Sequence, residues 1–287
     1  VANETRVRGF HRHIAACTNA VLPGERLSFH VGTGHVGWVS RDLAEALAGF
    51  PVITMTASRV TLTDGTALAA IARDLSGQGF FNWRREAFDV RAAADGPVLA
   101  LLDRGAIPAF GVQATGVHLN GLVECPDGPH LWIARRARDK LLDPGKLDHV
   151  VAGGVPAGLS PADTLVKEAA EEAAIPPDLA VRATHVGDIA YAMERPEGLR
   201  RDRLLCYDLT LPTDFVPHPA DGEVEAFELW PIRRVWEAVR DTDDFKFNVN
   251  LVLIDLFIRR GLIDGTEAAS LRHAFLDGAA LADGPGA

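Results

Sequence analysis

The stretch Gly153-Gly154-Val155-Pro156-Ala157-Gly158, leading through Leu159-Ser160-Pro161-Ala162-Asp163 into Lys167-Glu168-Ala169-Ala170-Glu171-Glu172-Ala173-Ala174-Ile175, is a glycine-rich loop feeding an amphipathic helix. Ser160 is placed to cap the helix, with Pro161 at its first position and Asp163 reaching back as in a capping box. Pro176-Pro177 stops it. Leu165, Ala169 and Ala173 recur every fourth residue and define the buried face. At about 100° per residue, Glu172 lies about 40° from Glu168, and Glu171 about 60° to the other side. Three carboxylates therefore share one face. They repel one another at these spacings. They also sit in the half of the helix where the dipole disfavours negative charge. A hard divalent cation, Mg²⁺ or Mn²⁺, removes both penalties; a solvated acidic face is the plainer alternative.

With its glycine loop, the segment resembles the Nudix box, G-x5-E-x7-R-E-U-x-E-E-x-G-U, where U is a bulky aliphatic residue. Gly153, Glu168, Glu171, Glu172 and Ile175 match at the right spacing. Leu159 stands in place of Glu, Lys167 of Arg, Ala169 of a bulky aliphatic and Ala174 of Gly. Thr115-Gly116-Val117-His118-Leu119-Asn120-Gly121, Leu131-Trp132-Ile133-Ala134-Arg135-Arg136, Pro144-Gly145-Lys146-Leu147-Asp148 and Asp221-Gly222-Glu223-Val224-Glu225 extend the likeness over most of the chain. Together they resemble the thiamine-pyrophosphokinase-related Nudix subfamily, in which a domain of unknown function comes first.

The resemblance implies a fold of the α/β (α+β) class: a C-terminal Nudix α/β/α sandwich with a mixed sheet, preceded by a smaller α+β domain. It implies metal-dependent hydrolysis of a diphosphate bond, with Mg²⁺ or Mn²⁺ as cofactor. By the same resemblance Glu168 and Glu172 are direct metal ligands, Glu171 is a ligand or water positioner, and the carbonyl of Ala152 is a further ligand. A glutamate from a later loop acts as base or extra ligand in this family. Glu223 and Glu225 are the candidates, and alternation places both on one side of an extended segment. The implied substrate is thiamine diphosphate or an oxidised form of it, cleaved to the monophosphate. An oxidised nucleoside diphosphate is the alternative. A Nudix fold that binds such a ligand without cleaving it is a third reading, against which all three box glutamates are retained. An isoprenyl diphosphate isomerase shares the fold but wants a catalytic cysteine, and neither Cys125 nor Cys206 has a supporting context.

The 287 residues suffice for two domains, taken here as 1–112 and 113–287. A hydrophobic content of 47% and a charged content of 24% are those of a globular protein without a membrane span. The chain begins Val1-Ala2-Asn3, without Met and without the apolar core of a signal peptide, so its numbering need not start at the gene start. Three widely spaced cysteines, Cys17, Cys125 and Cys206, form no metal or redox pair, which fits a reducing cytoplasm. A net charge of −10 speaks against nucleic acid as partner but allows a small phosphorylated substrate held by a local basic patch. Arg135, Arg136, Arg138, Lys140 and Lys146 form such a patch, and with Asp148 they are the candidate substrate contacts. Trp132 or Tyr191 either stacks on a substrate ring or belongs to the core.

The first half holds a literal G-x-G-x-x-G at Gly32, Gly34 and Gly37, after the strand-like Leu27–Val31. A dinucleotide loop would place its third glycine inside the next helix and an acidic residue about twenty positions on. Here Ser40 caps the next helix, Arg41–Ala48, and Val52–Ala57 holds no acid. The segment reads as a strand and a tight glycine turn. A helix over Val7–Cys17, one capped by Thr66 and a strand within Phe80–Val90 complete the unit, which is expected to pack on the second domain and shape its cleft. Farther on, Pro231 opens a helix through Val239, and Asn248 caps an apolar helix ending at Gly261.

Overall fold

The computed structural model describes residues 2–220 and 222–284, with side chains described from residue 9. Asp221, part of the quoted Asp221–Glu225 motif, lies outside the described residues.

The chain opens with α1 (Ala2–Cys17), then β1 (Leu27–Val31), β2 (Gly34–Val39), α2 (Arg41–Leu47), β3 (Ile53–Met55) and β4 (Arg59–Leu62). It continues through α3 (Leu68–Gly77), β5 (Ala87–Val90), β6 (Ala100–Asp103) and α4 (Ile107–Phe110). The four strands β2-β1-β4-β3 form one sheet, with β1 and β4 parallel. Strands β5 and β6 form a separate antiparallel pair. Phe29, Val60 and Leu62 pack against Leu43, Leu47, Leu75 and Phe110 in this unit's core. Gly34 and Gly37 both lie in β2, so the glycine motif is a hairpin turn and not a nucleotide loop. The cap of the short turn before α3 is Asp64, not Thr66, because the Asp64 carboxylate accepts from Thr66 N. Only the last four residues of Phe80–Val90 form strand.

The second unit starts with the long hairpin β7 (Gln113–Cys125) and β8 (Gly128–Arg136). Then come β9 (Leu147–Asp148), β10 (Val151–Gly154), α5 (Pro161–Ala173), α6 (Pro177–Ala180), β11 (Thr184–Arg195) and β12 (Gly198–Thr210). β13 (Val224–Pro231), α7 (Ile232–Asp241), α8 (Val249–Arg259) and α9 (Gly265–Asp283) close the chain. The sheet runs β11-β12-β7-β8-β13, with β10 on β7 and β9 on β8. β12 and β7 are parallel and the other pairs antiparallel, so the sheet is mixed. Alternation sends Val117, Leu119 and Val123 to one face, against Leu165, Ala169 and Ala173 of α5. Leu122, Leu204 and Cys206 face the other way, against α7 and α8. This is the expected α/β/α sandwich.

One helix sits apart from its neighbours in sequence. Phe10, Ile14 and Cys17 of α1 are buried in the second unit's core, with Phe10 against the rings of Trp236 (5.6 Å) and Phe257 (6.2 Å). The chain thus begins in the second unit, crosses to build the first and returns. Arg201 of β12 joins the two. Its buried guanidinium donates to the carbonyls of Gly111 (3.0 Å), Val36 (3.4 Å) and Ala282 (2.6 Å). Asn248 stands at the N-cap of α8 as expected but makes no side-chain capping bond; its Nδ2 donates instead to the Tyr191 hydroxyl at 3.5 Å.

Candidate functional site

Strand β10 runs into the glycine loop, and two of its glycines are fixed by what they touch. A Cβ on Gly153 would lie 2.6 Å from Cγ of Glu168, and one on Gly154 would lie 2.6 Å from the Phe88 ring. The loop is therefore clamped between α5 and strand β5 of the first unit. The Ser160 Oγ accepts from Asp163 N at 3.1 Å, as expected of the cap. The Asp163 carboxylate accepts from the Ser160 hydroxyl (2.6 Å) rather than reaching the backbone. The helix ends before the prolines: Ala174 takes a left-handed conformation, φ 52°, at the box position that usually carries glycine.

The three box glutamates differ in environment. Glu172 is 7% exposed, and its Oε2 accepts from Ala152 N at 2.9 Å. Burial raises its carboxyl well above the usual range, with Asp148, Glu168 and Glu223 adding like charge. Glu168 is raised in the same way, by burial against the opposing pull of Lys167. Glu171 is half exposed and bonded by Lys167 (2.6 Å), whose ammonium also reaches Glu168 (3.2 Å). Lys167 thus takes one charge to two carboxylates where a box arginine would make a planar pair. Leu159, at the other changed position, is exposed.

Ala134, Arg136, Asp148, Ala152, Glu172 and Glu223 line a small cleft between β8, β10 and α5. Glu223 and Glu225 differ in their partners. A bulge between Val224 and Ala226 adds a residue to β13. Glu223 lines the cleft and pairs with Lys140. Glu225 instead accepts from Arg138 N at 3.1 Å. The basic patch is held largely by the protein itself. Arg136 donates to Asp148 (2.7 Å) and to the carbonyls of Leu142 and Asp143. Lys146 bonds the Asp243 carbonyl. Arg135 reaches the Gly145 carbonyl (3.3 Å) and lies 3.7 Å from Glu228. Asp148 is buried, and Lys246 (3.6 Å) and Arg136 overcome desolvation to hold its carboxyl well below the usual range. Trp132 and Tyr191 are both core residues, so neither is a stacking platform.

Sequence reading missed a buried polar pair at the cleft, which His149 also lines. His118 and His149 join Nδ1 to Nδ1 at 3.1 Å, and Nε2 of His149 has no hydrogen-bond partner among the described residues. Desolvation keeps both imidazoles neutral, His149 down to about 4. These two and Asp148 bring potential ligand atoms within 4.8 Å of one another. The cations Arg136 and Lys246 already flank Asp148, however, and repel a metal there. His118 lies in a motif quoted from the sequence and His149 directly follows another, but nothing in their spacing shows that the chain brings them together.

The box fits a divalent cation better. Glu172 is an acidic side chain buried beside other carboxylates, with one neutral N–H as its hydrogen-bond donor. A cation offsets that penalty. Among the described residues no helix is long and apolar enough to cross a membrane.

The fold and the box are those of a hydrolase acting on diphosphate bonds. The NUDIX domain matches residues 119–249, and a domain of unknown function, DUF4743, matches residues 9–114. Nudix hydrolase 20, chloroplastic, of Arabidopsis thaliana is 37% identical over 91% of this chain and 75% of its own length. Nudix hydrolase 24, chloroplastic, of the same plant is 36% identical over the same shares. An uncharacterized protein of Saccharomyces cerevisiae is 32% identical over 64% of this chain and 57% of its own. The chain belongs to the Nudix hydrolases. Enzymes of this family typically use a divalent metal ion such as Mg²⁺ or Mn²⁺.

Proposed function

We infer that this enzyme cleaves the diphosphate of a small organic diphosphate, thiamine diphosphate or an oxidised analogue, to the monophosphate and inorganic phosphate. The observation that carries the reaction class is the buried Glu172 beside Glu168, packed under Gly153. Glu168, Glu172 and the Ala152 carbonyl would hold Mg²⁺ or Mn²⁺, with Glu171 as a further ligand or water positioner. The bound ion supplies charge neutralisation for the phosphate oxygens. Glu223, which lines the cleft, takes the proton of the attacking water. The water oxygen bonds to phosphorus as the bridging P–O bond breaks, and the leaving oxygen departs with the electron pair. Glu225, tied to Arg138 outside the cleft, is the weaker candidate for the base. The resemblance of the quoted motifs to the thiamine-pyrophosphokinase-related subfamily is what favours thiamine diphosphate. The acidic chain tolerates a cationic thiazolium. Phosphate release with Mg²⁺ from thiamine diphosphate, its oxidised analogues and nucleoside diphosphates tests the assignment. Faster turnover of the thiamine compounds supports it, and a tenfold preference for a nucleoside diphosphate leaves the hydrolase class and removes the substrate.

A further inference from the structure

The first unit reaches the catalytic loop through one short segment. Ala157 N, in the box loop, donates to the Ala87 carbonyl at 2.7 Å, and the buried Phe88 ring packs on Gly154. On the other side of that loop, Gly153 packs on Glu168. Strand β5 is thus one backbone layer from a proposed metal ligand.

The turn before β5 is built with unusual care. The buried carboxylate of Asp103 accepts four backbone N–H groups: Arg84 (2.9 Å), Arg85 (2.8 Å), Glu86 (3.3 Å) and Gly105 (2.8 Å). Gly105 has no room for a side chain, because a Cβ there would lie 1.8 Å from the Asn82 carbonyl oxygen. Arg85 is held at φ 65°, a left-handed conformation that a non-glycine residue adopts only where its surroundings impose it. The charge of Glu86 is matched by Arg104 at 2.8 Å. Arg84 and Arg85 are exposed, and neither guanidinium has an ion-pair partner among the described residues. The backbone spans about 3.5 Å per residue, so the Cα of Arg85 lies within about 7 Å of that of Ala87. By contrast Arg136, which lines the cleft, and Lys140 and Lys146 of the basic patch already have protein partners.

We propose that Arg84 and Arg85 form an anion grip that receives the substrate's diphosphate at the edge of the metal cleft. The inference rests on the diphosphate reading above. It gives the first unit a direct part in substrate binding. The two arginines are positioning residues for the phosphates; the glutamates remain the groups at the reacting atoms. A forked guanidinium suits phosphate oxygens, and Asp103 fixes both backbones beforehand, so that only the side chains are left to order on binding.

The test uses the full chain and a non-hydrolysable probe, methylenediphosphonate, titrated by calorimetry in the presence of Mn²⁺. The variant is Arg84→Ala with Arg85→Gly, since glycine takes the left-handed backbone without strain and keeps the turn. Expected are a Kd for the probe at least about tenfold weaker, Mn²⁺ affinity and melting temperature unchanged, and a raised KM with kcat within about threefold. The Arg84→Lys, Arg85→Lys variant should recover most of the affinity, because it keeps the charge. An unchanged Kd and KM, a fall in kcat at constant KM, or no recovery by lysine in a folded protein would each overturn the proposal. Wild-type protein that binds the probe but releases phosphate from no diphosphate would sink the hydrolase reading and leave the grip standing.

Discussion

Gly153 and Glu168 are in direct contact across the loop and the helix, with room for no atom between them: a Cβ on Gly153 would lie 2.6 Å from the Glu168 Cγ and 2.9 Å from its Oε2. The Gly153→Ala variant should therefore displace the carboxylate rather than unfold the protein. Overpacking of this kind costs about 1–3 kcal/mol. The displaced carboxylate should lower kcat by about a hundredfold, as misplacement by an ångström does. Steady-state kinetics beside a thermal melt checks it; near-normal kcat would show that Glu168 does not need its observed position.

Ala174 occupies a left-handed C-terminal position, φ 52°, that glycine takes without strain. Ala174→Gly should stabilise the protein by about 1 kcal/mol. A rise in melting temperature of about 2–4 °C is expected for a chain of this size. A lower melting temperature would mean that the alanine methyl packs more usefully than its backbone strain costs.

His118 and His149 are buried and neutral, with folded pKa values below the ordinary 6.5, to about 4 for His149. Below pH 6.5 the unfolded chain takes up protons that the folded chain refuses. Stability is therefore complete above that value and falls as pH drops toward 4, by about 1.4 kcal/mol per pH unit for each such imidazole. Removing one imidazole in His149→Gln should flatten the decline between pH 6.5 and 4. Parallel slopes for the two proteins in denaturant melts across this range would contradict the assignment.

Phe10 comes from the first helix of the chain but lies in the core of the second unit, against Trp236 and Phe257. Phe10→Ala should cost about 3–5 kcal/mol. A chain starting at Gln113 would lack Phe10, Ile14 and Cys17 and should unfold at lower denaturant than the full protein. Equal midpoints would show that α1 contributes nothing to that core.

Local signals were readable in the sequence where a few neighbouring residues decide the outcome. Ser160 caps α5 through Asp163 N, Ser40 caps α2 through Leu43 N, and three glutamates share the α5 face. The turn at Gly32 is likewise set by adjacent residues. Long-range choices were not readable. Period-two alternation puts Glu223 and Glu225 together, but it does not show that Glu223 lines the cleft and pairs with Lys140 while Glu225 bonds Arg138 N. The basic patch looks available until Asp148, Glu223 and the Asp243 carbonyl are seen to hold most of it. That α1 belongs to the second core, and that β5 docks on the box loop, depends on contacts between residues more than sixty positions apart.

The most direct test of the central claim is Mg²⁺-dependent phosphate release from thiamine diphosphate by the wild-type enzyme and by Glu168→Gln. The variant keeps the side chain's shape against Gly153 and removes its charge. The site described here predicts release that needs the metal, with turnover lower by at least about a hundredfold in the variant and little change in melting temperature. Equal turnover by a folded Glu168→Gln, or release that does not depend on a divalent ion, would contradict it.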